Sequence, residues 1–126
     1  MSATKIDFNT VREMALGLAG VQESTAYGSP ALKFRGKLLA CIPVHKSAEP
    51  GSLAVSVDFE RRVELLASAP DIYYVKEHYA AYPIVLVRLA RISPDALHGL
   101  LTLAWQFVSK TSPRGKKPVR KKQRPR

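Results

Sequence analysis

Cysteine is nearly absent from this chain. Cys41 stands alone among 126 residues, so no internal disulfide can form, and the spacing of a thiolate metal site is missing. No unbroken apolar run approaches the roughly 20 residues that a bilayer core requires. Met1 to Asn9 lacks the apolar centre of a signal peptide. The three histidines, His45, His78 and His98, show no His-x-x-x-His spacing. There is no glycine-rich phosphate loop and no Gly-x-Ser-x-Gly elbow. These absences predict a protein of a reduced, cytoplasmic compartment that is not an enzyme, holds no metal or cofactor, and does not enter a membrane.

Acidic residues are missing from the last seventeen positions, and that absence meets an excess of the opposite sign. Lys110, Arg114, Lys116, Lys117, Arg120, Lys121, Lys122, Arg124 and Arg126 supply nine of the 20 basic residues. The remaining 11 are nearly balanced by all 10 acidic ones. The chain therefore divides into a near-neutral domain, residues 1–109, and a basic tail, residues 110–126. Pro113, Pro118 and Pro125 discourage helix in the tail, and its composition predicts disorder. A cationic arm gains affinity for a polyanion by releasing condensed counterions, and nucleic acid is the commonest such partner. The tail has no aromatic or large apolar residue to anchor it in lipid.

Residues 1–109 carry clear periodicities. Thr10 and Glu13 have the form of a capping box, and Val11, Met14, Ala15 and Leu18 mark one face of a helix over about 10–19, stopped at Gly20. Tyr27 to Pro30 is turn chemistry. Leu32 and Phe34 alternate with Lys33 and Arg35 in a strand, and Arg35 to Lys37 reverses the chain into a second strand over 38–44. His45 to Gly51 is a polar loop, followed by a third strand through Leu53, Val55 and Val57. Asp58 caps a helix over about 59–68 with Phe59, Val63 and Leu66 on its inner stripe. Strands are expected at 72–78 and 84–89. Ser93-Pro94 opens a last helix through Leu97, Leu100, Leu101, Ala104 and Val108. The order α-β-β-β-α-β-β-α predicts an α+β fold: a two-layer sandwich whose five-stranded, mainly antiparallel sheet carries helices on one face and leaves the other partly open.

Residues 10–109 resemble the MmcQ/YjbR family of small bacterial proteins. The resemblance is carried by the segment from Ala19 through Tyr27-Gly28-Ser29-Pro30 to Lys37, by the segment Tyr74 to Arg88, and by the late helix at Ala104-Trp105. It implies the same helix and strand order, in a fold similar to type III secretion chaperones, and a DNA-binding role. The basic tail is not part of the family pattern.

Strand parity gathers the candidate site. With Leu32 and Phe34 facing the helices, Lys33 and Arg35 face away, as do Lys76, His78 and Arg88, with Lys37 beside them at the turn. A sheet surface bearing Lys33, Arg35, Lys37, Lys76 and Arg88 suits phosphates. Together with Lys116, Lys117, Arg120, Lys121, Lys122 and Arg124 it predicts a monomer that binds nucleic acid, DNA rather than RNA, with weak sequence preference, because no helix here resembles one that reads a major groove. The alternative is a non-enzymatic module for a protein or small ligand at the cluster Tyr74, His78, Tyr79 and Tyr82, the tail then being a non-specific polyanion contact. Aromatics in such a cluster either stack on a planar ligand or complete a core edge.

Overall fold

The computed structural model describes residues 6–26, 28–43 and 47–110. Helix α1 is Phe8–Leu16, followed by strands β1 (Val21–Ala26), β2 (Ser29–Phe34), β3 (Lys37–Cys41) and β4 (Ser52–Ser56). Helix α2 is Phe59–Ser68, β5 is Tyr73–Tyr74, and α3 is a single turn, Glu77–Ala80. Strand β6 (Ile84–Arg88) and helix α4 (Pro94–Lys110) complete the domain. The six strands form one sheet in the order β1-β2-β3-β4-β6-β5, with every pairing antiparallel. The α+β class holds, with six strands where periodicity predicts five.

Local chemistry explains most element ends. The Asp58 carboxylate accepts from the Arg61 N–H at 2.7 Å and starts α2, and the Ser93 hydroxyl accepts from the Ala96 N–H at 3.1 Å to start α4. The first helix begins two residues before its expected start because Asp7, not Thr10, is the cap: the Thr10 N–H and hydroxyl both donate to it. Those bonds, led by the backbone one, hold the Asp7 carboxyl below its ordinary range. Between β2 and β3 the two turn residues Arg35 and Gly36 have φ of 50° and 83°, the form of a type I′ hairpin.

The sheet has two unequal faces. One packs under α1, α2 and α4, where Val11, Leu32, Leu39, Leu53, Val55, Val85, Val87, Leu97 and Leu101 form the main core. Truncating one of its leucines to alanine costs about 2–5 kcal/mol. Trp105 closes one margin: its indole N–H donates to the Ala19 carbonyl at 2.8 Å and its ring meets Phe34 edge-on at 6.4 Å. The other face carries a smaller core of Ala31, Cys41, Ala54, Tyr74, Tyr79 and Leu86. This face, expected to be partly open, is thus covered at Ala31, Cys41, Ala54 and Leu86, while Lys33 on the same face remains half-exposed.

Other expectations are corrected as well. The strand expected over 72–78 is reduced to Tyr73–Tyr74: pairing ends there, and Glu77 and His78 belong to α3. The inner stripe of α2 is built from Leu65 and Leu66, while Phe59 and Val63 are 47% and 65% exposed. Residues 21–26, to which no element was assigned from the sequence, form an edge strand. The second strand ends at Cys41, three residues before its expected end. Tyr27, His45 and residues 111–126 lie outside the described residues.

Candidate nucleic-acid interface

The five sheet cations fall into two groups. Lys33, Arg35 and Lys37 all belong to the β2–β3 hairpin. Lys33 pairs with Gln22 on β1 and with Leu38 on β3. It sits half-buried on the second face, alternating with Leu32 and Phe34 as parity predicts, and its charge reaches the Cys41 thiol. Arg35 lies in the turn, not on a strand face. It is exposed, with its guanidinium 5.2 Å from the Phe34 ring centroid. Lys37 opens β3 and is half-buried.

Lys76 and Arg88 lie at the far edge. Three strand spacings and about four residues of strand rise separate Arg88 from Lys33, roughly 20 Å. Arg88 is already saturated. Its Nε and Nη2 each donate to a Glu49 carboxylate oxygen at 2.9 Å, and Nη1 donates to the carbonyls of Pro70 and Asp71 at 3.1 and 3.2 Å. Four of the five N–H donors a guanidinium offers are thus engaged. The bonds from Arg88 hold the Glu49 carboxyl below its ordinary value, and those to Glu49 raise Arg88. Arg88 also lies 4.4 Å over the Tyr74 ring, and the Lys76 ammonium is 5.8 Å from that ring. Lys76 precedes α3 and is exposed.

The aromatic cluster is divided between core and surface. Tyr74 is buried, its hydroxyl accepting from the Glu49 N–H at 2.8 Å and sharing a short hydrogen bond with the Ser52 hydroxyl. Tyr79 is buried in the smaller core, with the exposed His78 ring edge-on at 4.8 Å. Tyr73, adjacent in sequence, points into the main core, where burial pushes its phenol up. Among the tyrosines of the group, Tyr82 is the exposed one, at 54%. Cys41 is a buried thiol whose pKa burial raises, the opposite of an activated nucleophile. Among the described residues there is no set of three or more His, Cys, Asp or Glu placed to hold a metal ion, and no helix long and apolar enough to cross a membrane.

The feature that periodicity could not supply is where α4 ends. Phe107 and Val108, in its last turn, line a groove of about 430 Å³ together with Lys37, Leu38, Tyr82 and Pro83. Lys110 lies on the adjoining side of Phe107, beside Glu60 and Glu64 of α2. The last turn of α4, from which the nine-cation segment leads on, therefore lies beside Lys37, the β3 end of the hairpin. A larger hollow of about 780 Å³ lies at the other end of the sheet, among Phe8, Ile42, Glu49, Arg88, Arg91 and Ile92.

No family model matches the sequence. Three curated relatives, the uncharacterized proteins Mb2600 of Mycobacterium bovis and MT2646 and Rv2570 of Mycobacterium tuberculosis, are each 46% identical over 41 residues. That match spans 32% of this chain and 32% of each relative. The crystal structure of Deinococcus radiodurans protein DR2400, with a DUF419 domain, superposes with a TM-score of 0.69 at 20% identity, covering 87% of this chain and 83% of that one. The likeness to DR2400 is one of fold.

Proposed function

We propose that this chain is a DNA-binding protein of the MmcQ/YjbR type, acting as a cytoplasmic monomer without catalysis and with weak sequence preference. Its phosphate contacts come from the basic C-terminal segment and from the β2–β3 hairpin. The observation that supports this reading is the position of the last turn of α4, whose Phe107 and Val108 share a groove with Lys37 just before the basic segment begins. A tail that began at the Arg88 end would leave two separate cationic surfaces. Here one phosphate chain can run from the hairpin to the tail. On the α2 side Lys110 lies beside Glu60 and the Arg61–Glu64 ion pair, so the favourable path follows the Lys37 side. Lys76 and Arg88, which strand parity groups with the hairpin, contribute less, because Arg88 is neutralised by Glu49.

The test is fluorescence anisotropy with labelled duplex DNA across a salt series, comparing the full chain with a chain ending at Lys110. The reading expects the shortened chain to keep measurable affinity at low salt, with a slope flattened by about 0.9 for each phosphate that is no longer neutralised. If the shortened chain binds at no salt concentration, the folded domain is not a DNA reader.

A further inference from the structure

The strongest feature left unexplained is an apolar and aromatic patch beside the groove. Phe59 and Val63, one turn apart on α2, are 47% and 65% exposed, and Tyr82 is 54% exposed. One arginine ties them together. The Arg62 guanidinium lies 4.8 Å from the Phe59 ring centroid and donates to the carbonyls of Ala80, Tyr82 and Ile84 at 2.9–3.2 Å. This clasp holds the Tyr82 backbone on one side and the Phe59 ring on the other. A domain of this size gains nothing in stability from presenting two rings to water, and exposed apolar residues gathered around one guanidinium, as Phe59 and Tyr82 are around Arg62, mark a candidate interaction site.

We infer that Tyr82 and Phe59 form a stacking platform for unpaired nucleic-acid bases, so that the preferred ligand is a single strand and not a duplex. The inference rests on the nucleic-acid reading above and names its substrate class. Charge complementarity chooses the occupant. Tyr82 shares its groove with Lys37, and the nine-cation segment starts at Lys110 on the far side of Phe107. A phosphate backbone held at Lys37 passes beside the Tyr82 ring. Bases in a duplex are stacked on one another and cannot reach them, whereas splayed bases of a single strand can. Stacking of this kind is worth about 1–3 kcal/mol per base and tolerates any base, since every base has a π-face. That agrees with weak sequence preference. Arg62 presents a planar cation at the same place, adding cation–π character.

The experiment uses the full chain and three labelled probes of about 15 nucleotides: oligothymidylate, oligouridylate and a duplex of equal length. Expected are tighter binding of the single strands than of the duplex at near-physiological salt, and weakening of single-strand binding by about fivefold to a hundredfold in Tyr82→Leu. Duplex binding should stay unchanged in that variant, and Tyr82→Trp should retain single-strand affinity. Both substitutions are at an exposed ring, and an unaltered thermal transition excludes misfolding as the cause. The two single strands distinguish DNA from RNA on the same platform. If Tyr82→Leu and Phe59→Leu bind oligothymidylate as the parent does while duplex binding persists, the platform is refuted and the DNA reading stands. If no probe binds, the DNA reading itself fails. A dimer in solution that Tyr82→Leu dissociates would assign the patch to a second copy of the chain and refute the platform equally.

Discussion

Arg35 and Arg88 stand at opposite corners of one sheet, and counting along the strands treats them as equivalent cations. Their surroundings differ completely. Arg88 gives four hydrogen bonds to Glu49, Pro70 and Asp71 and lies over Tyr74. Arg35 occupies a turn at positive φ and leans on the edge of the main core at Phe34. The first is a structural pin joining β6, the 47–51 loop and the end of α2. The second is a charge presented to solvent beside two lysines. A formal charge therefore predicts a phosphate site only where its donors are not already committed to the fold.

The largest effect that would sharpen this contrast is expected from Arg88→Ala. Thermal unfolding should shift down by several degrees, since carbonyls and a carboxylate lose their donor together. DNA affinity of the folded variant should change little. Next, Lys33→Gln, Arg35→Gln and Lys37→Gln combined should weaken duplex binding by about tenfold and flatten the salt slope, with the melting temperature nearly unchanged. The opposite pattern in these two variants, measured by calorimetry and anisotropy, would break the comparison. Gly36→Ala comes third: a Cβ there meets no atom, but φ is 83°, so a cost of about 1 kcal/mol is expected from backbone strain alone. Chemical denaturation checks that value.

The smallest effect concerns Glu49 and pH. Its carboxyl is held below the ordinary 4.5 by Arg88. A depressed acid contributes stability that is fully present above its unfolded value and is lost as pH falls through its folded one. The melting temperatures of the parent and of Glu49→Gln should therefore differ at neutral pH and converge in acid below about 4.5. The same variant probes the contrast from the other side. With Arg88 freed of its counter-charge, an unchanged salt slope for DNA keeps the far edge out of the interface, and a slope steeper by about 0.9 brings it in.

What could be read from the chain was local. Asp58 and Ser93 announce their helices, the long amphipathic pattern gives α4, and Arg35-Gly36 gives the hairpin. What could not be read depends on distant partners. Strand β1 carries Gln22, Glu23, Ser24 and Thr25, all exposed; as an edge strand it is held by pairing to β2 and shows no alternation. The run from Ile72 to His78 reads as a strand, yet β6 pairs with only Tyr73 and Tyr74, and the chain then turns into α3. In α2, Leu65 and Leu66 offer a second inner stripe that competes with Phe59 and Val63, and packing against the sheet decides between them. The small core on the second face was hidden because Ala31, Cys41 and Ala54 are small residues that gather with Tyr74, Leu86 and Tyr79 of α3 from distant parts of the chain. For the same reason the adjacency of Lys37 to the end of α4, the basis of the candidate interface, has no signature in spacing.

The burial of Cys41 has a practical consequence. It lies in β3, between β2 and β4, at 6% exposure, and it is the sole thiol of the chain. A thiol reagent can reach it only when the middle of the sheet opens, and nothing else in the molecule competes for that reagent. Labelling rates at Cys41 are therefore a built-in stopwatch for sheet opening. Slower labelling in the presence of oligonucleotide would register binding without any fluorophore on either partner.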